Sequence, residues 1–123
     1  MANPNRVVGQ CKVKVDSQLY ETDGSTQMEI GGPSREAVKG DYQAGAFRES
    51  TNESKATLNL LYKGRLSLST VRKIDNATLT LETDTGAVWI VRNAYVADVI
   101  SFDSGTGKAQ VVFQGPPAEE MSL

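Results

Sequence analysis

The chain has 123 residues, enough for one domain with a real core. Hydrophobic residues make up 39% and charged residues 23%, the balance of an ordinary soluble globular protein. A net charge of −2 supplies no basic footprint for holding nucleic acid, and Cys11, the single cysteine, excludes an internal disulfide and fits a reducing compartment.

The N-terminal stretch MANPNRVVGQ has no apolar centre, so no signal peptide is expected, and residues 1–8 read as a mobile arm. No apolar run approaches the ~20 residues that span a bilayer. Cys11, Val13 and Val15 then alternate with Gln10, Lys12 and Lys14, the period-two pattern of a half-buried strand. Asp16-Ser17 forms a tight turn into a second strand at Leu19 and Tyr20, and Asp23-Gly24 is a further turn. A third strand carries Met28 and Ile30 on one face and Gln27 and Glu29 on the other.

The next stretch, GGPSREAVKGDYQAGAFRESTNE from Gly31 to Glu53, shows no apolar–polar alternation and holds four of the chain's eleven glycines. It reads as a long extended loop over 31–54, well beyond the ~15 residues common for a structureless connection in a compact domain. Val38, Tyr42 and Phe47 give it the apolar anchors that disordered segments lack, so it is expected to order against a neighbouring surface.

After it, Ala56, Leu58, Leu60 and Tyr62 face one way, and Thr57 and Asn59 the other. Ser67–Ile74 is the one expected helix. Ser67 caps it, Leu68, Val71 and Ile74 dock on the sheet, and Lys73 suits the C-terminal dipole. Leu79 and Leu81 mark another strand, Asp84-Thr85-Gly86 a hairpin turn, and AVWIV at 87–91 a strand covered on both faces. A mixed strand from Tyr95 to Phe102, a loose turn at 103–107 and a last strand around Val111 and Phe113 follow. Gly115-Pro116-Pro117 ends it and opens a C-terminal tail over 115–123. The expected fold is all-β: a single-domain β-sandwich or barrel of about eight strands with one short helix.

No constellation for catalysis is visible. There is no histidine, which removes the commonest general base and metal ligand, and one cysteine without histidine builds no structural zinc site. Cys11 falls at an inward strand position, as a buried structural thiol does. Asp84-Thr85-Gly86 has the aspartic-protease triplet but begins a hairpin, and Gly105-Thr106-Gly107-Lys108 lacks the spacing and the Ser/Thr of a phosphate loop. Asp98 falls mid-strand, on a solvated face or in an intersubunit ion pair; Trp89 and Tyr95 read as core or interface aromatics. Neither an enzyme activity nor a cofactor or metal is expected.

The stretches GGPSRE, VKGDYQAG, TDTGAVW, RNAYVADV and VVFQGPPAEE, in that order, resemble Mu-like phage tail tube proteins, from about Asn3 to Glu120. The resemblance implies a structural virion subunit of a contractile tail. It implies hexameric rings stacked into a hollow tube inside a sheath, with the sheets of six neighbours joined into one barrel and DNA passing through without specific binding. The implied partners are further copies of the chain, the sheath, tape measure, baseplate and tail terminator proteins. The implied place is the virion, with assembly in the host cytoplasm.

Within that picture the 31–54 segment is the expected inter-ring arm, with Arg35, Val38, Lys39, Asp41, Tyr42, Phe47 and Arg48 as contact residues. The small polar face of Gln27, Glu29, Thr57 and Asn59 is the expected lumen lining, because a neutral or acidic wall does not trap phosphates. The mixed signs of Arg35, Glu36, Lys39, Asp41, Arg48 and Glu49 suit contacts between identical subunits. Two alternatives remain open on the sequence: another ring-forming tail component such as a terminator, and a monomeric β-barrel binding module with a concave apolar pocket.

Overall fold

The computed structural model describes residues 3–121, so Met1 and Ala2 of the N-terminal arm and the last two residues of the C-terminal tail lie outside it. Alternation sets the core. Strands β1 (Cys11–Val15), β6 (Ser54–Leu61), β7 (Ala77–Thr83) and β10 (Lys108–Gly115) each turn every second side chain inward. The result is a cluster that includes Val13, Val15, Leu58, Leu60, Leu79, Leu81, Val111 and Phe113.

Two sheets enclose this cluster. In the first, β1 lies between β2 (Gln18–Tyr20) and β7, and β7 pairs with β8 (Val88–Val96). In the second, β10 lies beside β6, and β6 pairs in turn with β3 (Gln27–Glu29). Strand β8 belongs to both. Its first half pairs with β7, while Tyr95 and Val96 pair with Gln114 and Phe113 of β10. Between them the register slips by one residue, and Asn93 adopts a φ of 56°. A bulge of this kind bends a strand and lets it change sheets.

The turn residues act as expected. Asp16 and Ser17 both take positive φ, 49° and 73°, the geometry of a tight two-residue hairpin whose twist matches its strands. The Asp16 carboxylate also accepts the Thr78 N–H at 2.9 Å, tying that turn to the start of β7.

The structure departs from the sequence pattern in four places. The helix α1 spans only Leu68–Val71, capped by the Ser67 hydroxyl, which accepts the Thr70 N–H at 3.3 Å. Residues to Ile74 continue as tighter i→i+3 turns, so Lys73 lies beyond the helix, although Val71 and Ile74 still pack on the core. The expected strand from Tyr95 to Phe102 is interrupted: β8 ends at Val96, and a separate β9 (Ser101–Asp103) pairs with β10. Asp98 therefore sits in an exposed connection rather than mid-strand. The C-terminal segment returns as β11 (Glu119–Met121), pairing with β8 opposite β7.

The fourth departure is the largest. Residues 31–54 are not an irregular loop but a β-hairpin of β4 (Gly32–Gly40) and β5 (Gln43–Asn52), a separate two-stranded sheet. Its base is fastened to the sandwich. The buried Ser54 hydroxyl donates to the Pro116 carbonyl at 2.8 Å, and the Ala118 N–H donates to the Ile30 carbonyl at 2.8 Å. Gly31 sits at this junction with φ 75°, where a Cβ would lie 2.8 Å from both the Glu53 carbonyl carbon and the Ser54 nitrogen. Those atoms are backbone and cannot swing aside. Gly31→Ala is expected to destabilise the fold by about 1–3 kcal/mol, from left-handed strain plus overpacking, read as a lowered urea midpoint. An unchanged midpoint would refute this account of the junction.

Candidate assembly surfaces

The β4–β5 hairpin is exposed along both faces and on both strands, apart from half-buried Gly32 at its base. Its pairing runs from Gly32 opposite Asn52 to Gly40 opposite Gln43, with a one-residue slip beyond Val38 accommodated by Gly45 at φ 106°. Residues directly opposite in an antiparallel pair point to the same side. One side thus carries Arg35–Glu49 and Ala37–Phe47, and the other carries Glu36–Arg48 and Val38–Ala46. Each side holds one ion pair, at 3.0 Å for Arg35–Glu49 and 2.8 Å for Arg48–Glu36. The Arg35 guanidinium also lies 5.8 Å from the centre of the Phe47 ring.

This arrangement places the expected contact residues on three different parts of the hairpin. Arg35 and Phe47 share one face, Val38 and Arg48 share the other, and Lys39, Asp41 and Tyr42 lie at the tip. Tyr42 takes a φ of 66° there and is fully exposed. The apolar anchors find no cover in their own subunit: Val38 is 46% and Phe47 56% exposed. Arg35, Glu36, Arg48 and Glu49 pair with one another across the hairpin, where they set its register, which leaves Lys39 and Asp41 outside the ion pairs of the described residues.

Gln27, Glu29, Thr57 and Asn59 do share one face. Gln27 lies opposite Thr57, and Glu29 lies opposite Lys55. On the far side of β6, Asn59 lies opposite Gln110 and Lys55 opposite Gln114. The face is therefore wider than the sequence pattern singles out, since Lys55, Gln110 and Gln114 belong to it, with buried Val112 opposite Thr57 and half-buried Leu61 as its apolar members. Their signal was their alternation with Ala56, Val111 and Phe113, all buried. Among these residues the one acid, Glu29, lies opposite the one base, Lys55.

One border of it is held by a short polar relay. The Asn59 amide donates to the Ser25 hydroxyl at 2.8 Å, which donates to Asp23 at 2.6 Å, and Lys108 lies 3.0 Å from the other Asp23 oxygen. The Ser25 hydroxyl and N–H, then Lys108, lower the Asp23 pKa to about 2. In the β7–β8 turn, Asp84 accepts from the Gly9 N–H and from Arg6, each at 3.2 Å. The Asp84-Thr85-Gly86 carboxylate thus anchors the N-terminal segment and its pKa is lowered, chiefly by the Gly9 N–H. Cys11 is half-buried, and burial, reinforced by Asp84 and Glu82, pushes its thiol pKa up. The depressions beside β2 and beside α1 are open grooves rather than the enclosed apolar pocket that a small-ligand module requires. No helix among the described residues is long and apolar enough to cross a membrane.

Solved structures share this fold. A chain of the extended sheath–tube complex of the PVC extracellular contractile injection system superposes with a TM-score of 0.68, at 13% identity, covering 98% of this chain and 93% of that one. A chain of the PVC sheath/tube terminator gives 0.70 at 13% identity, covering 99% and 100%. The anti-feeding prophage tube-terminating cap gives 0.69 at 10% identity, covering 100% and 95%. The architecture is thus that of β-sandwich subunits from contractile injection systems. At the level of sequence, a family model for phage tail tube proteins matches residues 4–120, and the chain belongs to that family. It is 26% identical over 90 residues to the Mu-like prophage FluMu tail tube protein of Haemophilus influenzae, covering 73% of this chain and 75% of that protein. Its role is structural, as a tail tube component of the virion.

The Asp23 relay has a pH signature. Its pKa is lowered by folding, so its stabilisation is complete above the unfolded value and disappears as the pH falls through about 2. A carboxyl-detected NMR titration should give Asp23 a midpoint near 2, against the 3.8 of an unperturbed aspartate. A midpoint at the ordinary value would mean that the relay is not formed in solution.

Proposed function

We propose that this chain assembles into hexameric rings that stack, through the β4–β5 hairpin, into the inner tube of a contractile tail. The single observation that supports stacking is the hairpin itself. A nine-residue and a ten-residue strand project into solvent with apolar side chains on both faces. An isolated two-stranded hairpin is marginal in water, so this one calls for a surface on another subunit. Ring closure is supported by the sheet edges. Strands β2, β3, β9 and β11 each have three residues, short edges that present few unpaired groups to the wrong partner and are completed by the right one. The sixfold count follows the likeness to Mu-like tail tube proteins.

In this reading the face of Gln27, Glu29, Thr57 and Asn59 lines the lumen. A wall that is mainly amides, hydroxyls and paired charges, with Val112 and Leu61 among them, lets DNA slide, since affinity for the phosphate backbone comes from unpaired Lys and Arg. Lys55 lies opposite Glu29, and Lys108 is engaged by Asp23. The sheath and the tail terminator are the proposed partners on the outside and at the end of the tube, in keeping with the sheath–tube and terminator structures that share the fold. The tape measure and baseplate proteins are proposed to set length and nucleate growth. Assembly takes place in the host cytoplasm, and the protein itself has no catalytic step to perform.

Two experiments test these roles. Because Ser34 lies opposite Ser50, replacing residues 35–49 with Asn-Gly leaves a two-residue hairpin turn. This variant is expected to keep its urea midpoint and to form no long tubes; tubes of normal length by electron microscopy would sink the stacking role. The Glu29→Lys/Asn59→Lys pair is expected to slow DNA ejection from tails that still assemble. Ejection at the wild-type rate would show that this face does not line the channel.

A further inference from the structure

The stacking role leaves open where the hairpin tip lands. We propose that it seats in the groove between α1 and the β8–β9 connection of a second copy of this chain, an assignment that rests on the stacking reading above.

The tip is a defined chemical object. Tyr42 projects from the turn, Val38 and Phe47 stand exposed just below it, and Lys39 and Asp41 flank it. The other four charges of the hairpin are held in its own cross-strand pairs, so these two are the ones left for a partner. The surface that accepts the tip should therefore be apolar and carry one acid and one base, both unengaged.

One groove among the described residues meets that description. It has a volume of about 550 Å³, and its lining includes Leu68, Arg72, Asp98, Val99, Ile100 and Phe102. Val99 is 96% and Phe102 62% exposed, a high degree for adjacent large apolar side chains. The Phe102 ring meets Tyr62 edge to face, with centroids 5.2 Å apart, which stiffens that wall before any partner arrives. Arg72 and Asp98 are exposed and make no ion pair among the described residues. They provide the counter-charges for Asp41 and Lys39.

The competing groove, beside β2 and the segment from Lys63 to Leu66, matches less well. Its acid, Glu21, is already bound to Lys63 at 2.6 Å, and Arg65 is left as an unopposed cation that would repel Lys39. Nor is the first groove filled by its own hairpin, because Tyr42 remains fully exposed. Two aromatic side chains bury roughly 150–250 Å² each, less than the ~800 Å² per partner of a stable interface. A single tip in a single groove is thus a weak contact. Repeated around a ring, it becomes strong through multivalency, which favours stacking of completed rings over pairing of free monomers.

Charge reversal and crosslinking test the seat on tubes recovered from cells producing whole tails. Asp41→Arg and Arg72→Asp each place like charges together and are expected to cut the number of stacked rings about tenfold, while the double variant restores them. In a Cys11→Ser background, Tyr42→Cys combined with Val99→Cys or with Phe102→Cys should give, on mild oxidation, a ladder of covalently joined copies. Stacked tubes that yield no ladder from either combination overturn the proposal, whatever the charge variants do. If the Asn-Gly hairpin replacement meanwhile still abolishes stacking, the groove is wrong and the stacking role stands. If that replacement stacks normally, the stacking role itself has failed.

Discussion

The pairing of β6 with β10 is the interaction on which the rest of the molecule depends. It runs in unbroken register from Ser54 opposite Gly115 to Leu61 opposite Lys108. One face of this ribbon supplies Ala56, Leu58, Leu60, Val111 and Phe113 to the core, where truncating a fully buried leucine costs about 2–5 kcal/mol. The opposite face supplies Lys55, Thr57, Asn59, Gln110 and Gln114 to the polar surface. Because side chains alternate with a period of two, a slip of one residue would exchange the two faces entirely. The core therefore fixes the polar surface, and any loss of register would destroy the fold before it altered the lining.

The same ribbon fixes the base of the hairpin. Ser54 is where β6 begins, and its hydroxyl holds the chain after β10 through Pro116. The hairpin then extends from this anchored base, its body held by the β4–β5 ladder with two cross-strand ion pairs rather than by burial. Exposed pairs of this kind are individually weak. They specify which residues face each other, while the apolar groups between them wait for another surface. An unpacked arm fastened at its base is suited to assembly, because its binding surface stays uncovered in the free subunit.

Legibility in the sequence followed burial. Val13, Val15, Leu58, Leu60, Leu79 and Leu81 announced their strands because each alternates with polar neighbours. The Asp16-Ser17 and Asp84-Thr85-Gly86 turns were visible because few residue types tolerate their backbone angles. The hairpin reads as irregular in the sequence for the converse reason. With both faces in solvent, neither needs to be apolar, so Arg35 and Ala37 can share one side and Glu36 and Val38 the other. Strand without alternation leaves little trace in a single sequence. The helix is shorter than its sequence pattern because Leu68, Val71 and Ile74 have helical spacing, yet tighter turns bring Ile74 to the core equally well.

Side-chain order along the chain dictates which residues enter the core, where the tight turns fall, and that one glycine-rich segment from Gly31 onward obeys a different rule. These are local properties, set by side-chain chemistry and the two-residue period of a strand. The tertiary structure decided what depends on residues far apart in the chain. It made the hairpin by placing Arg35 against Glu49, joined the two sheets through the bulge at Asn93, and returned β11 to β8. It also gathered Leu68, Arg72 and Asp98 beside Val99 and Phe102. Such pairings are chosen by the closure of the whole chain around one core, and no short window of residues contains that information.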